Sequence, residues 1–218
     1  MTSTPTIAEP RQQRSRRTLQ RIIDAFEQAL RDQTFEEVTV GALCERAGCS
    51  VGTFYGRVES KDVLLEHVRR RVFDEVQATL GAVLDPDHAK ARSLSALLRE
   101  QISVLVDFHT QRRGVLRAVM VQARRQTAFA GPTRDFNTAL LHQVTQSWLV
   151  HRDAIAHSDP IIAAQQATLM AAGYLRESIV FAELWPPQCA LDRNDRINWL
   201  HHLVITYLTG SAPKEDAS

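Results

Sequence analysis

Residues 39–65, TVGALCERAGCSVGTFYGRVESKDVLL, decide the fold of this chain. Val40, Leu43 and Ala47 recur at the spacing of one helix face, and Thr39 precedes them as a good N-cap residue. The stretch therefore opens with a short amphipathic helix of about two turns.

A second short helix follows after a tight turn. Gly48 can adopt the left-handed conformation that commonly ends a helix, and Ser50 can cap a helix carrying Phe54 and Tyr55. Two short helices joined by a turn of three or four residues containing glycine form a helix-turn-helix motif. In such a motif the second helix enters the DNA major groove and presents its N-terminal residues to base edges.

The same stretch resembles the DNA-binding signature of the tetracycline-repressor (TetR) family. The resemblance covers residues 15–70, and beyond them it is a match of length and helical pattern only. The matching positions, in order, are Thr39, Leu43-Cys44, Ala47-Gly48, Ser50, Gly52-Thr53-Phe54-Tyr55 and Ser60-Lys61.

The resemblance implies roles for individual side chains of the motif. Phosphate contacts are expected from hydroxyl or ammonium groups and helix N-termini, at Thr39, Ser50, Tyr55 and Lys61. Base edges are expected to meet the exposed face of the second helix, at Val51, Gly52, Thr53 and Arg57. Phe54 and Val58 are expected to point into the core. A half-buried tyrosine at a helix junction is the alternative interpretation of Tyr55.

An arginine-rich segment precedes the motif. Residues 11–21 carry five arginines and no acidic residue, and Arg14, Arg16 and Arg17 are candidate DNA contacts. We expect residues 1–17 to form a disordered basic arm that lies along or in the minor groove. A solvated, charged helix start is the alternative.

Composition indicates an ordinary globular protein with no strong overall charge. The 218 residues carry a net charge of +1, with 44% hydrophobic and 23% charged residues. Three cysteines without CxxC spacing fit a reducing cytosol, and no apolar run reaches the length of a membrane span. We expect a soluble, cytoplasmic protein with no membrane partner.

The whole chain follows an all-α pattern of about nine helices. Residues 18–65 are expected to form the DNA-binding domain, and residues 66–218 a helical ligand-binding and dimerisation domain. Helices other than the pair in the motif are predicted at 18–31, 61–84, 88–109, 113–129, 132–156, 160–184 and 192–209, with the breaks at proline- and glycine-containing segments.

Two residues of the DNA-binding domain, residues 18–65, which we call the head, depart from the family pattern. Thr34 stands where the family has a glycine, and because threonine is poor in the left-handed conformation, the end of the first helix is expected to be built differently. Gly56 stands within the second helix, where glycine costs about 1 kcal/mol relative to alanine. Cys44 and Cys49 are interpreted as buried small hydrophobic residues, with a thiol switch as the alternative.

The last two helices have the composition of an interface. They are apolar over more than one face, and small residues at 163–173 allow close helix approach. The resemblance implies that these helices form a four-helix interface of a homodimer, whereas burial within a monomer core is the alternative. The candidate interface residues are Ala167, Ala171, Tyr174, Ile197, Leu200 and Val204.

The resemblance also implies a small-molecule pocket among the middle helices. Candidate residues are polar or aromatic ones that interrupt apolar faces, although for each alone a core or surface role is the commoner one. They are His109, Arg117, Met120, His142, Trp148 and Tyr174.

No motif indicates catalysis, a metal or a cofactor. HExxH, GxSxG, Walker and GxGxxG sequences are absent, and the eight histidines lack partners at metal-ligand spacing. We therefore expect a homodimeric transcriptional regulator rather than an enzyme. The likeness favours a repressor that binds a palindromic double-stranded operator, with recognition helices roughly 34–36 Å apart or slightly more, and leaves it when an effector binds. The alternative is a DNA-binding regulator whose larger domain mediates dimerisation or protein interaction without any small molecule.

Overall fold

The computed structural model describes residues 11–210, without the side chains of Arg11, Gln12 and Arg14. Within this range all regular structure is helical, with no strand. The chain divides into two compact units, Met1–Arg69 and Arg70–Ser218. None of the described helices is long and apolar enough to cross a membrane.

The described residues form ten α-helices, so the all-α prediction is confirmed. Short 3₁₀ turns lie at Arg152–Ala154, Ala182–Leu184 and Pro187–Cys189, and a π-helical turn covers Arg176–Val180. The α-helices are α1 Arg11–Asp32, α2 Val40–Ala47, α3 Val51–Tyr55, α4 Lys61–Leu84, α5 Pro86–Lys90, α6 Leu94–Gln111, α7 Arg113–Arg125, α8 Thr127–Leu149, α9 Pro160–Leu175 and α10 Arg193–Thr209.

Helix α1 begins seven residues before the predicted start at Thr18. Residues 11–17 are helical, which contradicts their assignment to a disordered arm. The reason is local: Arg and Gln are good helix formers, and this segment contains no glycine or proline to stop the helix. The disorder predicted for residues 1–10 lies outside the described residues.

The link from α1 to α2 does not need the glycine that Thr34 replaces. Thr34 donates its backbone N–H to the Glu37 carboxylate at 2.8 Å and its hydroxyl at 2.9 Å, while the Glu37 N–H donates to Thr34 Oγ1 at 3.4 Å. This reciprocal pairing is a capping box. It satisfies backbone donors without any left-handed residue, so the expectation of a differently built helix end is confirmed.

The middle helices are divided differently from the prediction. The break expected at Gly131-Pro132 lies instead at Gln126, whose extended backbone separates α7 from α8. Pro132 is accommodated inside α8, where it gives up one intrahelical hydrogen bond. The prolonged helix predicted from residue 88 is in fact the one-turn helix α5 followed by α6, because Ser93 caps a new helix through the Ala96 N–H at 3.2 Å.

The helix predicted at 160–184 ends earlier, at Leu175. The π-helical turn that follows inserts an extra residue, which rotates the side chains after it about the helix axis. Consecutive Ile179 and Val180 lie in this turn, and both are buried.

A buried amide connects three segments of the second unit. Gln101 of α6 donates to the Val83 carbonyl at 2.9 Å and to the Ser147 hydroxyl at 3.2 Å, and accepts from Trp148 Nε1 at 2.7 Å. The surrounding core is aliphatic, built where α6 packs on α10 and α8 packs on α9. Every polar group of the amide side chain is thus paired in an otherwise apolar environment.

Candidate nucleic-acid interface

Helix α2 is fixed at both ends by the residues that the sequence assigns to its caps. The Thr39 hydroxyl accepts the Ala42 N–H at 3.2 Å. At the other end Gly48 adopts φ 60° and ψ 48°, the left-handed conformation in which a Cβ is strained. Leu43, Cys44 and Ala47 face the core of the head.

Helix α3 begins at Ser50 and has only five residues. The Ser50 hydroxyl accepts the Thr53 N–H at 3.1 Å and lies 2.9 Å from Thr53 Oγ1. Gly56 ends this helix as its C-cap in a right-handed conformation. The prediction that Gly56 lies in the interior of the helix is therefore wrong. The cost of an interior glycine therefore does not apply.

The two faces of the recognition segment differ sharply in exposure. Phe54 and Val58 are almost completely buried, as predicted. On the opposite face Val51 is 47% exposed and Tyr55 56% exposed, and Gly52 is exposed beside them. Thus α3 presents an uncharged surface that contains backbone, aliphatic and phenolic groups.

Arg57 links this surface to α1. Its guanidinium donates to the Thr53 carbonyl at 3.1 Å and to the Ser15 carbonyl at 3.4 Å. The side chain is nevertheless exposed, with donors beyond those two bonds. Because Ser15 lies 42 positions earlier in the chain, sequence spacing gave no signal for this contact.

Lys61 has a different role from the predicted phosphate contact. Its ammonium donates to the carbonyl oxygens of Phe35 at 2.7 Å and Val38 at 2.6 Å, with the Glu36 carbonyl at 3.5 Å. It also lies 4.6 Å from the centre of the Phe35 ring. An ammonium has three donors, and this set engages all of them. The side chain therefore stabilises the α1–α2 link instead of facing an outside anion.

The predicted basic residues lie on helical backbone rather than in an unstructured arm. Arg16 and Arg17 are exposed on the first turns of α1, whereas the side chain of Arg14 lies outside the described residues. These arginines add positive charge to the same unit that carries the uncharged surface of α3. Phosphate attraction and base contact would thus come from different helices.

Residues 22–68 match the family model described as bacterial regulatory proteins, tetR family. The match contains α2, the turn, α3 and the start of α4, which form the surface just described. Residues 22–68 are thus similar to the tetR family of bacterial regulatory proteins. DNA binding through a helix-turn-helix is the property of this family that the geometry supports.

Solved structures extend the likeness to the whole TetR fold. A tetR-family regulatory protein from Rhodococcus RHA1 aligns with a TM-score of 0.69 at 16% identity, covering 90% of this chain and 98% of that chain. A TetR transcription regulator from Haloarcula marismortui aligns with a TM-score of 0.67 at 14% identity, covering 90% and 98%. A TetR-like regulator from Rhodococcus sp. RHA1 aligns at 0.65 and 19% identity, covering 94% and 100%. No curated protein sequence matches the chain significantly.

The candidate pocket residues of the second unit have separate surroundings. Trp148 is buried and bonded to Gln101, whereas His142 is exposed on α8. Arg117 pairs with Glu183 at 3.2 Å, and the Tyr174 ring lies 4.4 Å from that of Trp199. The remaining two, His109 and Met120, are half-buried on α6 and α7. None of the six lines either of two surface grooves, of about 470 and 290 Å³.

Most of the predicted dimer residues are core residues of one protomer. Ala167 is 0% exposed, and Ala171, Ile197, Leu200 and Val204 are also buried, because they pack α9 and α10 into the second unit. A side chain with no exposed surface cannot contact a partner subunit, so the assignments of Ala167, Leu200 and Val204 are wrong. Ala171 and Ile197 keep a small exposed fraction, and their place in the interface stays a prediction. Tyr174 is half-buried and remains available. The neighbouring large side chains that are exposed were missed: Ile161, Ile162, Leu169 and Trp199.

Proposed function

We propose that this protein is a homodimeric, sequence-specific DNA-binding regulator that represses transcription from a palindromic operator. The observation that carries the proposal is the recognition segment: a capped five-residue helix with Phe54 buried beneath it and Val51, Gly52 and Tyr55 exposed. Exposed side chains at the N-terminal end of such a helix are those that meet base edges in a major groove.

The groups of this surface favour a division of tasks. Val51 offers an apolar contact, for which a thymine methyl is the natural base partner. The free donors of Arg57 suit a guanine edge or a phosphate, and the Tyr55 hydroxyl and the capping hydroxyls Thr39 and Ser50 suit phosphates. Glycine at position 52 allows close approach of the backbone to DNA.

A second copy of the chain is the partner that fits the last two helices. Ile162 is 55%, Leu169 62% and Trp199 46% exposed, and the Tyr174 ring contacts the Trp199 ring at a tilt of 30°. Exposed large apolar side chains grouped on packed helices mark interaction surfaces, and a two-fold axis lets one face cover its own copy. Dimerisation through the last helices is also typical of the TetR family.

An effector that releases DNA would bind in the second unit, as is common in the family. It would lower DNA affinity only by its differential affinity for the DNA-competent and DNA-incompetent states. The separate surroundings of the six candidate pocket residues favour a second proposal, in which the larger unit serves dimerisation or protein contacts alone. Ligand-dependent loss of operator binding distinguishes the two.

The decisive experiment is selection of genomic fragments by the purified full-length protein at about 150 mM salt, because affinities depend steeply on salt. Enrichment of one palindromic sequence is expected. Fragments recovered without a shared sequence would contradict site-specific recognition.

Variants then test individual contacts on the selected fragment. Val51→Ala and Tyr55→Phe are expected to weaken binding without lowering the unfolding midpoint, because both side chains are largely exposed. Arg16→Gln is expected to reduce the slope of log affinity against log salt by about one, as for a single lost phosphate contact. Exposed Arg92→Gln of the second unit is the matched control, with an unchanged slope.

A further inference from the structure

The end of α2 brings two cysteine side chains together. Cys49 N–H donates to the Cys44 carbonyl at 2.9 Å, and Gly48 N–H donates to the Glu45 carbonyl at 3.2 Å. These two bonds, with Gly48 left-handed, define a Schellman motif, in which the first and last residues commonly make a side-chain contact. Here both residues are cysteines, so the motif places their side chains at the two positions that commonly contact each other.

The two thiols differ in access to solvent. Cys44 is buried in the core of the head, whereas Cys49 is partly exposed at the turn. Burial raises the pKa of the Cys44 thiol, and the adjacent Cys49 raises it further, so Cys44 stays protonated at neutral pH. Cys49 is therefore the sulfur that a small oxidant can reach first.

We propose that Cys44 and Cys49 are a peroxide-sensitive thiol pair that forms a reversible disulfide inside the helix-turn-helix. The Cys49 thiolate attacks one oxygen of hydrogen peroxide; the O–O bond breaks, and the leaving hydroxide takes a proton to become water. Cys49 is then a sulfenic acid. The Cys44 sulfur attacks the Cys49 sulfur and displaces hydroxide, which takes the Cys44 proton and leaves as a second water. The two thiols lose two electrons and the peroxide gains them.

The backbone geometry suits this bond, and the bond would alter the recognition helix. Disulfides join residues with Cα atoms about 4.4–6.8 Å apart. The bond from the Cys49 N–H to the Cys44 carbonyl holds the backbones of these two residues together at the end of α2. The S–S bond is only about 2.05 Å long, so the sulfurs must approach. Cys49 directly precedes Ser50, the N-cap of α3, so this movement displaces the start of α3.

The disulfide can be detected without any DNA. Arg46 lies between the two cysteines, so trypsin cuts the chain there and releases residues 32–46 and 47–57 as separate peptides. The full-length chain with Cys189→Ser is treated with hydrogen peroxide, blocked with N-ethylmaleimide and digested. We expect the two peptides linked, at two hydrogens below their summed mass, and separated by dithiothreitol. Unlinked peptides, each carrying the maleimide or an overoxidised cysteine, would overturn the proposal.

Single-cysteine variants test the order of events. With Cys44→Ala, peroxide should leave a Cys49 sulfenic acid that dimedone traps. With Cys49→Ser, buried Cys44 should react far more slowly. Equal rates in the two variants would contradict the assignment of Cys49 as the first sulfur oxidised.

The effect on DNA rests on the proposed function and is measured separately. Oxidised protein is expected to lose affinity for its selected fragment, and dithiothreitol is expected to restore it. A fully linked sample with unchanged affinity would overturn the effect on α3. A head that forms the disulfide but selects no DNA sequence in either redox state would instead contradict the proposed function.

Discussion

At the scale of single residues, the role of a side chain depends on partners that are distant in the sequence. Lys61 matches a motif position, and its type suits a phosphate, yet its three donors face carbonyl oxygens of Phe35, Glu36 and Val38. Residue type and spacing identified Thr39 and Ser50 as caps because a cap bonds three residues away. They could not show a bond that spans more than twenty residues.

Lys61→Met is expected to lower the free energy of unfolding of the head by about 1–3 kcal/mol, since it leaves partly buried carbonyls without their charged donor. Urea denaturation followed by circular dichroism measures this change. Lys90→Met, which removes a highly exposed ammonium, is the control and should change stability little. If Lys61→Met kept the stability of the parent protein but reduced the dependence of DNA affinity on salt, Lys61 would contact a phosphate after all.

Two histidines of the second unit are expected to make its stability depend on pH. Burial lowers the pKa of His201, and nearby Arg99 lowers it further; burial likewise lowers the pKa of His109. Both therefore bind protons more tightly in the unfolded chain. Above about pH 6.5, the ordinary histidine pKa, both side chains are neutral and their contribution to the free energy of unfolding is fully present. It is lost as the pH falls below about 6.5 toward the lowered pKa of the folded protein.

The urea concentration at the unfolding midpoint is thus expected to decrease as the pH is lowered from about 7.5 to about 5.5. In His201→Gln this decrease should be smaller. His142→Gln, on the exposed face of α8, is the control and should leave it unchanged. A fall in His201→Gln as large as in the parent protein would exclude His201 as a source of the pH dependence.

At the scale of elements, local signals decided how well each helix could be predicted. The bounds of α4 were predicted residue for residue, and those of α2 and α3 follow from their cap residues and Gly48. The start of α1, the α7–α8 break and the π-helical turn were not predicted. Propensity did not exclude a helix before Thr18, Pro132 is tolerated inside α8, and no residue of 176–180 signals a π-helical turn in the sequence.

Gly48 and Gly41, both at α2, should respond oppositely to the same substitution. Gly48→Ala is expected to destabilise the head by about 1–2 kcal/mol, because a Cβ at φ 60° is strained. Gly41→Ala meets no atom within 4 Å, so it should be neutral or stabilising. Thermal unfolding of both variants measures the contrast, and equal effects would contradict the assigned turn geometry.

At the scale of the whole molecule, the sequence showed that the last helices are apolar on more than one side, but not which side faces inward. On α9, Ala167 lies in the core, whereas Leu169, only two positions later, is exposed. The rotation of a helix about its axis is set by the elements packed on it. An all-round apolar helix leaves that rotation undetermined in the sequence.

Leu169→Glu is therefore expected to give folded monomers, with helical content and thermal midpoint of the protomer retained. Sedimentation velocity across a concentration series measures the association. Val150→Glu, at an exposed apolar site at the end of α8, is the control and should remain dimeric. Ala167→Asp should lower stability strongly instead, because it buries a charge. A dimer that persists in Leu169→Glu would place the interface elsewhere.

The Gln101 amide has a consequence for how uniquely the helices stack. Its partners come from the end of α4 and from two adjacent positions of α8, so they are available together in one arrangement only. If either helix moved by one turn, the buried amide would lose its hydrogen-bond partners at a cost of about 1–3 kcal/mol. Aliphatic side chains would instead tolerate many slightly different arrangements. Gln101 thus disfavours competing helix arrangements. Leucine there would lower the free energy of unfolding, because the Trp148 Nε1–H and the Val83 carbonyl would stay buried without their partner, and would also allow a broader range of helix arrangements.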